Sequence, residues 1–238
     1  MQNRAALVSS VLVIGVGVVA AGPVSGAAPE VPDSPCANLE RGSTQFVACA
    51  REELRSAGRS MLAVGGKADE SSMRAFRQRA EVFAQRMADA MGPNDDPRKV
   101  LAQALPAEAT APPQPGVFPD DVASEQVVIG TCAAQPGKVR YWNGTSHPAG
   151  LGFGRCTVAV GAIGVTTFLY RLSGSWYVDA SGSAGTIGIS AAGPAVAVSH
   201  NSCGSYFATA IASFGPAPGQ QISPPTHSAS TPISDWCN

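Results

Sequence analysis

Charge is scarcest in the half of this chain where a catalytic site would need it. From Tyr141 onward only Arg155, Arg171, Asp179 and Asp235 are charged, and residues 180–234 carry no charge at all. Glycoside hydrolysis requires a pair of carboxylates flanking the scissile bond. After position 119 the chain offers only Asp120, Asp121, Glu125, Asp179 and Asp235, and Asp179 alone lies away from the ends of that half. Such scarcity argues against carbohydrate hydrolysis. No Cys-x-x-Cys, His-x-His or His-Glu-x-x-His occurs. The near pair His200 and Cys203 reads as a bystander beside a half-cystine, and Asn94-Asp95-Asp96 as a helix-capping turn, so no metal is expected. Phosphate loops and dinucleotide fingerprints are missing too. Gly150-Leu151-Gly152-Phe153-Gly154 has the wrong spacing and reads as a flexible turn, which leaves no cofactor to expect. A net charge of −1 offers nucleic acid no electrostatic footprint. Ser183, His200 and Asp179 could formally form a triad, but Ser181-Gly182-Ser183-Ala184-Gly185 lacks the nucleophile elbow, and no catalytic residue is assigned.

What is present begins with an exit signal. Residues 5–28 are free of charge, follow Arg4, and contain an apolar run over residues 11–19. Gly22 and Pro23 end any helix there, and Ser25-Gly26-Ala27 suits cleavage better than Val19-Ala20-Ala21. Residues 1–27 therefore read as a signal peptide, which would touch a membrane only if left uncleaved. Export places the six cysteines in an oxidising compartment, where they read as disulfides. Arginine far outnumbers lysine, and alanine and glycine abound, a composition that suggests a high-GC bacterial genome.

The mature chain divides where its charge does. Residues 28–105 are charge-rich, residues 106–121 form a Pro/Ala-rich linker, and residues 122–238 form a β-domain with a Pro/Ser-rich tail. In the first unit Val47, Ala50, Leu54, Ala57, Met61 and Val64 recur at helical spacing, as do Met73, Phe76, Ala80, Phe83, Met87 and Ala90. Gly65-Gly66 and Gly92-Pro93 stop these helices, Asp69 caps the second, and Asp96-Pro97 opens a short third. The short connection predicts an antiparallel helical hairpin. In the second unit strands are expected at residues 126–131, 139–143, 154–160, 166–172, 176–179, 186–190, 195–200 and 206–213. Turn-forming clusters between most of them suit an antiparallel β-sandwich. The fold class is thus α+β in two units, stapled by disulfides. Sequence leaves the connectivity open among many pairings. The pairs adopted here are Cys36–Cys49, Cys132–Cys156 and Cys203–Cys237.

Two features are candidates for recognition. Tyr141-Trp142 and Trp176-Tyr177 each place adjacent rings on opposite faces of a strand. Trp142 and Trp176 are expected as sandwich-core anchors, which leaves Tyr141 and Tyr177 for a ligand platform, glycan being one ligand of that kind. Arg51, Arg55 and Arg59 form a ridge on the first helix that could pair with Glu81 or Asp89, be solvated, or meet an anionic envelope polymer or lipid headgroup. Asn143-Gly144-Thr145 matches a glycosylation acceptor and equally a turn. The leading functional reading is a secreted, non-catalytic binding protein of the bacterial envelope or extracellular space, with a protein, glycan or anionic polymer as partner. One alternative is a pro-protein whose helical unit is removed to release a β-domain inhibitor or toxin, with residues 145–152 as inhibitory loop. The other is a hydrolase with a nonstandard site.

Overall fold

A computed structural model describes residues 34–110 and 128–237; the expected signal peptide and residues 111–121 of the linker lie outside the described residues. Among the described residues three α-helices come first: α1 (Thr44–Val64), α2 (Glu70–Ala90) and α3 (Pro97–Ala104). Each begins on a side chain that satisfies an otherwise orphaned amide. Ser43 accepts from the Phe46 N–H, Asp69 from Ser72 and Asp96 from Arg98. The bonds to Asp69 hold its carboxyl well below the usual range, first the Ser71 hydroxyl and then the Ser72 amide. Along α1 the buried stripe is Phe46, Ala50, Leu54, Gly58 and Met61. Gly58 belongs to it because α3 ends there. A Cβ at Gly58 would lie 2.8 Å from Leu105 Cδ2.

Nine strands follow among the described residues. The first sheet has the order β5-β2-β1-β7, built from β1 (Val128–Tyr141), β2 (Pro148–Cys156), β5 (Ala191–Val198) and β7 (Gln220–Ser223). The second has the order β4-β3-β6-β8, built from β3 (Ala162–Ser173), β4 (Ser175–Ile187), β6 (Gly204–Gly215) and β8 (Thr226–Ser230); β9 (Ser234–Trp236) also pairs with β6. Pairing is antiparallel throughout except between β1 and β7. All six cysteines are paired, as Cys36–Cys49, Cys132–Cys156 and Cys203–Cys237. Cys132 and Cys156 face each other directly across β1 and β2.

Glycine decides how closely the sheets meet. Gly150, Gly152 and Gly154 lie on one face of β2, turned toward β3 and β6. A Cβ at Gly150 would come within 2.8 Å of Ala208 Cβ, one at Gly154 within 2.7 Å of Ile163 Cγ2, and one at Gly152 would fall on Thr167 Oγ1. The segment read as a flexible turn is therefore the inner face of a strand, and residues 148–152 of the supposed inhibitory loop belong to β2. Similarly, the Ser/Gly run 181–185 continues β4, because a Cβ at Gly182 would fall on the Val196 carbonyl of β5. Small residues that imitate turn chemistry are here selected by close backbone approach.

The division into two folding units does not extend to packing. In β3 and β6 both faces are apolar. Leu169, Tyr206 and Ala208 turn inward to the first sheet, whereas Phe168, Tyr170, Phe207 and Ile211 turn outward. A sheet apolar on both faces must be covered on both. The cover is the helical layer, whose Phe76, Ala80, Phe83 and Met87 join that outward face and Trp176 in a single cluster. Tyr170 and Phe207 stack at 4.3 Å between centroids, and Trp176 meets Phe207 edge-on at 4.9 Å. The layer is also fastened at both ends. The Gly66 N–H donates to Ser213 Oγ at 2.9 Å, and Trp176 Nε1 donates to the Gly92 carbonyl at 3.0 Å. Trp176 thus anchors the helix layer rather than the sandwich interior, and Trp142 sits half-buried in the β1–β2 turn.

Candidate binding site

One end of the two packed sheets brings together aromatic and polar side chains from four separate segments. The β1–β2 connection forms the first wall. Asn143 and Gly144 take positive φ values of 41° and 76°, and the Thr145 N–H closes the turn on the Trp142 carbonyl at 2.7 Å. Two left-handed central residues are what a tight hairpin turn requires, and Asn-Gly suits them. Just before the turn stands Tyr141, 47% exposed. With Ile187 and Ile189 it is one of three large apolar side chains left open among the described residues. Its ring packs against Trp236 at 4.4 Å between centroids and 73° between planes.

Trp236 comes from the tail. Strand β9 pairs Trp236 with Gly204 of β6, and the Cys203–Cys237 disulfide closes over the same place. Gly204 has a φ of 139°, and a Cβ there would sit 3.0 Å from Arg171 Nε. Only glycine lets Arg171 reach past. Its Nε donates to the Cys203 carbonyl at 3.1 Å and its Nη1 to the Tyr177 hydroxyl at 2.9 Å. That second bond raises the already high pKa of the guanidinium, which stays charged. Tyr141 and Tyr177 thus occupy one end of the sandwich, connected through Trp236, Gly204 and Arg171.

Behind them lies a polar floor. Tyr206 is fully buried, with its hydroxyl 3.2 Å from the Asn201 carbonyl and 3.3 Å from the Cys203 carbonyl. Burial pushes its pKa upward, so the phenol stays neutral as a donor. The ladder between β3 and β4 skips one residue between the pairs Leu169–Ala180 and Tyr170–Val178, which makes Asp179 a bulge residue. Bulges re-aim side chains beside functional sites. Asp179 Oδ1 accepts from Asn201 Nδ2 at 3.1 Å, while its Oδ2 is buried without a partner among the described residues.

The formal triad does not assemble. Ser183 Oγ is engaged with Thr166 Oγ1 at 3.1 Å, and it lies four residues along β4 from Asp179, about 13 Å by strand rise. His200 is exposed beside Asn201, and it is Asn201 that holds the carboxylate. No group of three His, Cys, Asp or Glu residues among those described could hold a metal ion.

The arginine ridge has mostly structural partners. Arg51 pairs with Asp95 at 2.9 Å, and the same carboxylate oxygen accepts from the Gly92 N–H at 2.8 Å, which ties α1 to the α2–α3 turn. Arg55 pairs with Glu52 at 2.8 Å, and Arg59 reaches that carboxylate only at 3.7 Å. The partners are Asp95 and Glu52, not Glu81 or Asp89. Sequence reading named Tyr141 and Tyr177 as candidates and did not name Trp236, Arg171, Tyr206 or Asn201, which lie beside them in the fold. The tail strand that brings Trp236 into place is short and follows a Pro/Ser-rich stretch, so no strand signal marks it.

Because Cys237 holds β9 in place, the double substitution Cys203→Ser with Cys237→Ser is expected to release Trp236. Stability should fall by about 2–4 kcal/mol, with a shift in tryptophan emission, in chemical denaturation followed by fluorescence. An unchanged midpoint and emission would contradict this role. No protein-family model matches the chain, and a search of the curated proteins gives no match. Three disulfides fit folding in an oxidising compartment. No helix among the described residues is long and apolar enough to cross a membrane.

Proposed function

We propose that this is a secreted, disulfide-stapled binding protein of the bacterial envelope or extracellular space. The aromatic and polar end of its sandwich holds an uncharged polar ligand of glycan type. The observation that carries this reading is the open ring of Tyr141, fixed edge-on by Trp236 beside Arg171 and Tyr177. A rigid aromatic platform with a few convergent donors and acceptors is the composition of a recognition site. A ring face takes the C–H face of a sugar, and the Tyr177–Arg171 pair is placed for its hydroxyls. Loops at a sandwich end are also where such folds present ligand-binding groups.

The chain acts undivided in this reading. Removal of the helical layer would uncover Phe168, Tyr170, Trp176, Phe207 and Ile211, a face too apolar to stand in water. Of the arginine ridge only Arg59 is left for a separate contact away from this ligand, since Arg51 and Arg55 are the more tightly paired.

The test is titration of the full-length protein with soluble, uncharged oligosaccharides released from purified envelope glycan, read by NMR. Tyr141→Ala should weaken binding by about tenfold or more with the melting temperature nearly unchanged, because the ring is half exposed. Equal affinity of variant and parent, or no saturable binding by the parent, would refute the site.

A further inference from the structure

We infer that the groove between α1 and α2 is a second, independent site, for a small organic anion carrying one carboxylate. This groove encloses about 570 Å³, within the range of small-molecule sites. It runs along the outer side of the helical hairpin, away from the sheets, and Pro35 and Cys49 contribute to its lining. Its apolar lining includes Ala57 and Val82, while Ser56 and Ser60 offer hydroxyls.

The charge on its walls selects the ligand. Arg59, Arg79 and Arg86 line it against Glu52 and Glu53. Both carboxylates are already engaged. Glu53 accepts from Ser34 Oγ at 2.8 Å and pairs with Arg86 at 3.1 Å, while Glu52 pairs with Arg55 at 2.8 Å. Arg86 is a built feature rather than a solvated one, with its side chain only 10% exposed. That guanidinium is held between Glu53 and Asp89, the latter at 3.8 Å, so the cations that face the groove with more freedom are Arg59 and Arg79. Arg79 has no carboxylate within ion-pair distance among the described residues, and Arg59 holds Glu52 only at 3.7 Å. Three lining arginines face two lining glutamates, a formal excess of one positive charge, and Arg55 and Asp89 just outside the lining add one charge of each sign. A monoanion balances that excess, and an aliphatic tail suits Ala57 and Val82. A phosphate dianion would overshoot the charge and leave the apolar lining wet. A guanidinium also presents two parallel donors to a carboxylate.

Octanoate and octanol serve as probes, identical except at the head group. Calorimetric or NMR titration of the full chain at low salt should show saturable octanoate binding with shifts confined to α1 and α2. Octanol should bind at least tenfold more weakly. The double variant Arg59→Gln with Arg79→Gln should weaken octanoate by at least tenfold, and its exposed side chains leave the fold intact. Tyr141→Ala should leave octanoate binding unchanged, which separates this site from the sandwich end. Absence of saturable octanoate binding, equal affinity for octanol, or full affinity in the double variant would each overturn the assignment.

Discussion

Gly152→Val is expected to keep the two sheets from closing. The new Cβ would fall on Thr167 Oγ1 and sit 3.0 Å from Ala210 Cβ, so neither sheet can yield at that point without displacing the other. Overpacking in a tight core destabilises on the order of 3 kcal/mol when no side chain can move aside, and valine adds two branches beyond that Cβ. The measurement is yield of folded protein together with the urea midpoint. The control is Gly174→Asn. That glycine is left-handed, at a φ of 75°, nothing lies within 4 Å of it, and asparagine tolerates such a backbone. The control should fold at nearly the parent midpoint. Equal behaviour of the two variants would mean that the inner face of β2 is not the closely approached surface described here.

Phe207→Ala should destabilise both layers together. Phe207 is fully buried, stacks on Tyr170 and receives the edge of Trp176, and it lies in the cluster that contains Phe76, Phe83 and Met87 of α2. Removal of a buried phenylalanine costs about 3–5 kcal/mol through lost contacts and the cavity left behind. Because the ring belongs to both layers, helix and sheet signals should be lost at one lowered midpoint. Far-ultraviolet circular dichroism at the helix band and tryptophan emission report the two layers separately. If only the sheet signal shifted while the helices kept the parent midpoint, the two layers would have separate cores.

Much of this architecture could be read from residue pattern, and the exceptions share one cause. The helices were legible because two helical stripes and two caps, Asp69 and Asp96, act within a few residues, while the Ser43 cap became visible only in the fold. Only Asp69 and Asp96 stand out in the sequence, because each adjoins a stop or a proline. Strands rich in branched residues were legible too, as in β3 and β6. The failures fall where glycine and serine line a close approach. Residues 150–154 and 181–185 carry turn chemistry yet run through β2 and β4, because the space opposite admits no side chain. Periodicity names a face but not its partner. The outward Phe168 and Tyr170, beside the inward Leu169, carried the hint that β3 is covered twice, and hence that the helices lie on it. Of the candidate site, the aromatic pairs were visible locally. Their neighbours Trp236 and Arg171 depend on a three-residue strand and a glycine at a left-handed φ, which no local pattern announces.

The proposed function stands on one claim, that the helical layer and the disulfide-stapled sheets work as one undivided protein. Peptide mass spectrometry under non-reducing conditions, on protein recovered from the medium of a secreting host, tests it most directly. The claim predicts a chain continuous from the helices through the sandwich, with Cys36–Cys49, Cys132–Cys156 and Cys203–Cys237 linked and no free thiol. Recovery of a β-domain severed from its helices between residues 107 and 121, and persisting alone in the medium, would contradict it.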